Sequence, residues 1–158
     1  MNVINRIVFV SETDTDIGPM AVTILEKLLD LKERKLIVES RGLIVLFPEP
    51  CNSKAVTVAR ERLMDMPSHF SRQLTESDFS EDTVVLTVNK DEKDRIYRDF
   101  ENAINVFTLS EYARIPEKEI PNPIGKDEDE YRLCFDELYS VVFKVASELN
   151  EADKKEKS

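Results

Sequence analysis

RIVFVSETDTDIGPMAVTILEKLLDL, residues 6–31, is the stretch on which the fold turns. Arg6 to Ser11 reads as a strand, because Ile7, Val8, Phe9 and Val10 form an unbroken apolar run of the kind buried on both faces of a parallel sheet. Pro19 suits the first position of a helix. Met20, Ile24, Leu25, Leu28 and Leu31 then recur at helical spacing. Between strand and helix lies SETDTDIG, Ser11 to Gly18. A turn that ends a strand and opens a helix aims backbone N–H groups into its own concavity, and the helix dipole favours an anion there. This turn nevertheless carries Glu12, Asp14 and Asp16. An anion cradle with built-in carboxylates is at odds with itself.

Working outward, residues 35–40 (KLIVES) read as a second strand broken by Arg41-Gly42, and LIVLF (43–47) as an apolar loop or short extended piece before Pro48 and Pro50. Asn52 or Ser53 caps a helix through Val56, Ala59, Leu63 and Met64. Thr75 to Asp78 is rich in capping residues and predicts a short helix near Phe79. TVVLTV (83–88) is a buried strand, residues 89–100 a charged helix with Ile96, Tyr97 and Phe100 on its apolar side, and NVFTL (105–109) a fourth strand. Residues 111–127 read as a loop, with Pro116, Pro121 and Pro123. Residues 128–149 form the last helix, with Tyr131, Cys134, Phe135, Leu138, Val141, Val142, Val145 and Leu149 on one stripe. Strands alternating with helices predict an α/β fold, a doubly wound four-stranded parallel sheet flanked by helices. Its ligand crevice then lies at the carboxyl ends of the strands. Residues 1–150 read as a single domain and 151–158 as a polar, disordered tail.

The 158 residues carry 32 acidic and 22 basic side chains, a net charge of −10. That balance argues against nucleic acid or an anionic membrane as partner. The longest apolar run, Leu43 to Phe47, is far short of a membrane span. MNVINRIVFV lacks a basic region followed by a long apolar stretch, so no signal peptide is expected. Two cysteines make no disulfide framework, which points to a reduced, cytoplasmic protein. Two cysteines and one histidine also argue against a structural zinc site, and no metal or cofactor is expected.

The chain also resembles a known family over most of its length, from Arg6 to about Leu149. MPSHFSRQLTESDFSEDTVVLTVNKDEKDRI (66–96) and IPNPIGKDEDEYRLCFDEL (120–138) are similar to stretches of the low-molecular-weight protein tyrosine phosphatases. Those enzymes open with a strand, then V-C-x5-R-S-P, then a helix, and here the frame is Val10-Ser11 through Gly18-Pro19. The resemblance implies a cysteine thiolate that attacks phosphorus, an arginine that forks onto the phosphoryl oxygens, and an aspartic acid that protonates the leaving group. At the matching positions stand Ser11, Ile17 and Asn122, with Gly18 for the serine after the arginine and Ile124 for the ring-flanking aromatic. Ser11, Ile17 and Asn122 are thus degenerate positions, and a pseudophosphatase is expected, with the loop Ser11, Glu12, Thr13, Asp14, Thr15, Asp16, Ile17, Gly18 as its binding element.

Three readings of the acidic turn stay open. Asp14, Thr15 or Asp16 caps the first helix; a carboxylate fills the old phosphate nest; or Glu12, Asp14 and Asp16 hold a cation or a basic group of a partner. The partner is then a protein with a basic patch or a second copy of the chain. The competing function is a weak or altered phosphohydrolase. Cys134 reads as a packed core thiol, Cys51 as a loop residue, and His69 as a structural hydrogen-bonding residue.

Overall fold

The computed structural model describes residues 3–29 and 35–157. Leu31, the last residue of the first helical stripe, lies outside the described residues. Strands β1 (Arg6–Ser11), β2 (Ile37–Gly42), β3 (Thr83–Thr87) and β4 (Val106–Thr108) form one parallel sheet in the order β2-β1-β3-β4. Helices α1 (Ile17–Leu28), α2 (Ser53–Glu61), α3 (Lys90–Asp99), α4 (Leu109–Ala113) and α5 (Glu128–Lys157) complete it. The expected doubly wound sheet is observed.

The unbroken apolar runs of β1 and β3 have a direct cause. Successive side chains leave opposite faces of a strand, and both faces here are covered. Ile7, Phe9, Val84 and Leu86 pack with Met20, Ile24 and Leu25 of α1, Val58 of α2, and Tyr131, Phe135 and Leu138 of α5. Val8, Val10 and Val85 pack on the other side with Ile96 of α3, Leu74 and Phe79. Because β2 and β3 flank β1 on opposite sides, the chain reverses its winding at the β1/β3 boundary. A crevice opens there, beyond the ends of both strands.

Several boundaries differ from the sequence reading. Arg41-Gly42 does not break β2 but forms its last two rungs, Arg41 opposite Val10 and Gly42 opposite Ser11. A buried arginine is tolerated in the strand because its guanidinium donates to Glu39 (3.0 Å) and the Ser40 carbonyl (2.8 Å), beside Asp78 at 3.3 Å. Arg6 completes that network through Glu39 (2.9 Å) and Asp78 (2.8 Å). Gly42 is needed for a close approach, since a Cβ there would lie 2.6 Å from Val45 and 3.0 Å from the backbone of Thr13. Helix α2 does open at Asn52, whose side chain accepts from Lys54 N at 2.9 Å, but it ends at Glu61, leaving Leu63 exposed and outside it. Residues 76–78 make the expected short helix, a single 3₁₀ turn capped by Thr75. Helix α4 interrupts the predicted loop, and its capping box of Thr108 and Glu111 was present in the sequence as T-x-x-E. Helix α5 runs on past Leu149 to Lys157. Among the described residues no helix is long and apolar enough to cross a membrane.

Candidate functional site

The crevice at the switch point is lined by Ser11, Glu12, Thr13, Asp16 and Ile17 from the turn, by Val88, Asn89 and Glu92 after β3, and by Ile120, Asn122 and Ile124. The fold therefore brings together Ser11, Ile17 and Asn122, the three positions singled out by the motif match, and sets Ile124 beside them. Across the crevice, Asn122 turns its side-chain oxygen to the Ile124 N–H (3.1 Å).

The carboxylates of the turn do not converge. Glu12 leans outward and takes a bidentate fork from Arg95 of α3, at 2.7 and 3.2 Å. Asp14 is fully buried and holds a left-handed backbone, φ 60°, which a short polar side chain tolerates. Its Oδ2 accepts from the Arg72 N–H at 3.0 Å and faces His69 Nε2 at 3.2 Å, while that same Nε2 lies 2.9 Å from the Asp14 carbonyl oxygen. With two acceptors at Nε2, the proton belongs there. The hydrogen bond to Asp14 raises the His69 pKa, overcoming the burial that lowers it. Asp16 stands at the N-cap of α1, yet its side chain makes no capping hydrogen bond. Its oxygens instead accept from Tyr131 Oη and Thr15 Oγ1, both at 2.7 Å. Side-chain capping by Asp16 is thus corrected: the carboxylate is drawn sideways by a buried tyrosine hydroxyl on α5.

Two buried oxygens remain without a partner among the described residues, Ser11 Oγ and Asp14 Oδ1. Both lie against the Cβ-free side of Gly18, where a Cβ would sit 3.1 Å from Ser11 Oγ, 3.3 Å from Ser40 Cβ and 3.4 Å from Asp14 Oδ1. Among the described residues no base is hydrogen-bonded to Ser11 Oγ. Among the described residues no three His, Cys, Asp or Glu side chains group as a metal site.

Sequence reading missed Glu92. It is buried at the α3 N-terminus, where its Oε1 accepts from the N–H groups of Val88 (3.0 Å) and Asn89 (3.2 Å). Burial pushes its pKa up to about 7, with the nearby Glu12 charge adding to the shift. The Asn89-x-x-Glu92 capping pattern was legible, but its place in the crevice was not. Both thiols are held above the usual cysteine range. Burial, with help from Asp14 and Asp16, lifts Cys51 to about 11, and burial and Asp16 lift Cys134 to about 12.

The model of the family described as low molecular weight phosphotyrosine protein phosphatase matches residues 6–156. The chain belongs to this family. A protein-arginine-phosphatase of Geobacillus stearothermophilus is 30% identical over 146 residues, 91% of this chain and 95% of that protein. The low molecular weight protein-tyrosine-phosphatase PtpB of Staphylococcus epidermidis is 27% identical over 140 residues, 89% of this chain and 96% of that protein. Among solved structures, a cysteine-to-serine mutant of YwlE arginine phosphatase with a phosphorylated active site serine superposes with a TM-score of 0.81 at 26% identity, covering 92% of this chain and 96% of that one.

In this member of the family the turn is held from behind by buried polar pairs, and their removal has a cost. Tyr131→Phe leaves one oxygen of buried Asp16 without its hydroxyl donor. The expected loss is about 1–3 kcal/mol of unfolding free energy, measured by urea titration. A loss below about 0.5 kcal/mol would show that Asp16 needs no donor from α5.

Proposed function

We propose that this chain is a catalytically silent member of its family that acts as a binding or regulatory module, a pseudophosphatase. One observation carries this: Ser11, Ile17 and Asn122 meet in a single crevice whose lining residues include no arginine, lysine or histidine but do include Glu12, Asp16 and Glu92. An unactivated serine hydroxyl is a far weaker nucleophile than a thiolate. Loss of a preorganised charge stabiliser typically costs about 10²–10³ in rate, and loss of a general acid about 10²–10⁴. These effects do not simply add, but all act in one direction. The partner we propose is a protein, bearing a basic patch or being a second copy of this chain, met in the cytoplasm.

The purified chain is expected to hydrolyse para-nitrophenyl phosphate, a phosphotyrosine peptide and a phosphoarginine peptide no faster than buffer. Vanadate is expected to leave its melting temperature unchanged, because a ligand specific to the folded state raises it. Turnover that vanishes in Ser11→Ala would overturn the proposal.

A second reading has its own support. Ser11 Oγ is buried and unpartnered at the nucleophile position, and a serine in the active site of the YwlE mutant carries phosphate. Under this reading Ser11 takes a phosphoryl group once, without turnover. Intact mass after incubation with the phosphoarginine peptide separates the two: silence predicts no phosphoryl adduct, and an adduct absent from Ser11→Ala selects the second.

A further inference from the structure

A second cavity, of about 200 Å³, lies between α1, the outer edge of β2 and residues 66–72, and shares no lining residue with the crevice. The course of β2 explains why its edge is open there. Gly42 ends the strand, and it turns away from β1: its N–H donates to the Arg72 carbonyl (2.8 Å) and its carbonyl accepts from Leu74 N (2.9 Å). The neighbouring segment then parts from β2, because Ser71 N donates to the Glu49 carbonyl instead, at 2.8 Å. Backbone groups alternate in direction along a strand. The Ser40 N–H therefore faces outward like that of Gly42, and it meets no acceptor among the described residues. The Ser40 carbonyl is already taken by Arg41, at 2.8 Å.

Donors gather at one end of this cavity. Ser40 lines it, is 4% exposed, and its hydroxyl has no partner among the described residues. His69 turns Nε2 to Asp14, which leaves Nδ1 as the ring nitrogen without a partner among the described residues. The Asp14 contact also raises the His69 pKa, and a protonated ring donates at Nδ1 as well. Arg72 is fixed through its N–H to Asp14 at 3.0 Å, while its exposed guanidinium pairs with no carboxylate among the described residues. All three belong to the Gly18 end of α1, where a Cβ would sit 3.3 Å from Ser40 Cβ and 3.4 Å from Asp14 Oδ1. Of the carboxylates lining the cavity, Glu39 is held by Arg6 (2.9 Å) and Arg41 (3.0 Å). Glu26 stands further along α1, about 12 Å from Gly18 at the helical rise. It has no ion-pair partner among the described residues, and burial raises its pKa. Between the two ends the wall is apolar, with Pro19, Val22, Val38 and Met66. The donor end suits an anion, the middle suits an apolar body, and Glu26 opposes a second negative charge. The volume lies below the roughly 300–1,000 Å³ of sites for drug-sized ligands, so the occupant is smaller than those.

We infer that this cavity is a binding site for a small organic monocarboxylate, its carboxylate held by Ser40, His69 and Arg72 and its apolar body against Val22, Val38 and Met66. The site goes beyond the binding-module reading and does not depend on it, since none of these residues lines the crevice.

The probes are 3-phenylpropionate and 4-methylpentanoate, each set against its primary amide and titrated into the nitrogen-15-labelled full chain. At least one carboxylate is expected to bind with a Kd below about 1 mM. Its amide is expected to bind at least about ten-fold more weakly, because the charge-assisted hydrogen bonds are lost. Backbone N–H resonances of Val38, Ser40, Cys51 and His69 are expected to move. Arg72→Gln changes an exposed side chain and keeps the N–H that reaches Asp14. It is expected to weaken the carboxylate at least about ten-fold, Arg72→Lys to recover part of that loss, and Glu26→Gln to weaken nothing. Thermal melting checks that each variant folds. Failure of both carboxylates to bind below that Kd, equal binding of carboxylate and amide, or wild-type affinity in Arg72→Gln overturns the proposal. So do shifts confined to Thr13, Asn89 and Asn122, which would give the ligand to the crevice. Turnover of a phosphate ester by the wild type would defeat the pseudophosphatase reading and leave these binding results as they stand.

Discussion

Ser11→Cys with Ile17→Arg is expected to bind no vanadate, whereas the same pair with Asp14→Asn added binds it measurably. The double variant restores the thiol and the guanidinium of the family but leaves the charge behind them. Asp14 Oδ1 is buried, has no hydrogen-bond partner among the described residues, and lies against the same Cβ-free side of Gly18 as Ser11 Oγ. A negative charge there raises the pKa of a thiol at position 11. Behind burial, the Asp14 charge, together with that of Asp16, already contributes to lifting Cys51 to about 11. A thiol with that pKa is ionised to the extent of about 10⁻⁴ at pH 7. Asparagine keeps an acceptor for the Arg72 N–H and His69, removes the charge, and offers an N–H to the nucleophile. Glu12 needs no change, since Arg95 already forks onto it. Asp16 is left in place because Tyr131 and Thr15 satisfy it. The readout is a vanadate-dependent rise in melting temperature. A rise in the double variant alone would show that the Asp14 charge is not felt at the nucleophile position.

Much of this was legible in the sequence, and the rest was hidden for physical reasons. β1, the turn and α1 follow from local pattern, as do the caps Asn52, Thr75 and Asn89, because strand burial and capping are short-range effects. Arg41 misled for a long-range reason. Arg41-Gly42 was read as a break, but partners on β2 itself and at Asp78, far along the chain, hold Arg41 in the end of a buried strand. Ser11, Ile17 and Asn122 were read by their match to a family motif, and the fold then set them in one crevice. The acidic turn was where sequence gave least. Glu12, Asp14 and Asp16 alternate along the chain, yet each is claimed by a different distant residue: Arg95, His69 and Tyr131. No local rule assigns such partners. Carboxylates that looked like one cluster are three separate anchors.

Glu92→Gln is expected to stabilise the protein at pH 8 by up to about 3 kcal/mol and to leave it nearly unchanged at pH 4. The side chain sits against the crevice with one oxygen fixed by two backbone N–H groups, and burial raises its pKa from 4.5 to about 7. A group whose folded pKa lies above its unfolded value binds its proton more tightly when folded. Its contribution is complete below the unfolded value and is lost as pH rises through the folded one. Glu92 therefore costs stability progressively between about pH 4.5 and pH 7. Glutamine keeps the acceptor that caps α3 and has nothing to ionise. His69 follows the same sign: its pKa is raised above 6.5 by Asp14, so its ion pair is complete below that value and fades as the ring loses its proton. Wild type and Glu92→Gln share the His69 slope and every surface carboxylate. The difference between their urea unfolding free energies therefore isolates Glu92. A difference that stays flat from pH 4 to pH 8 would mean that Glu92 titrates in the folded chain as it does in the unfolded one.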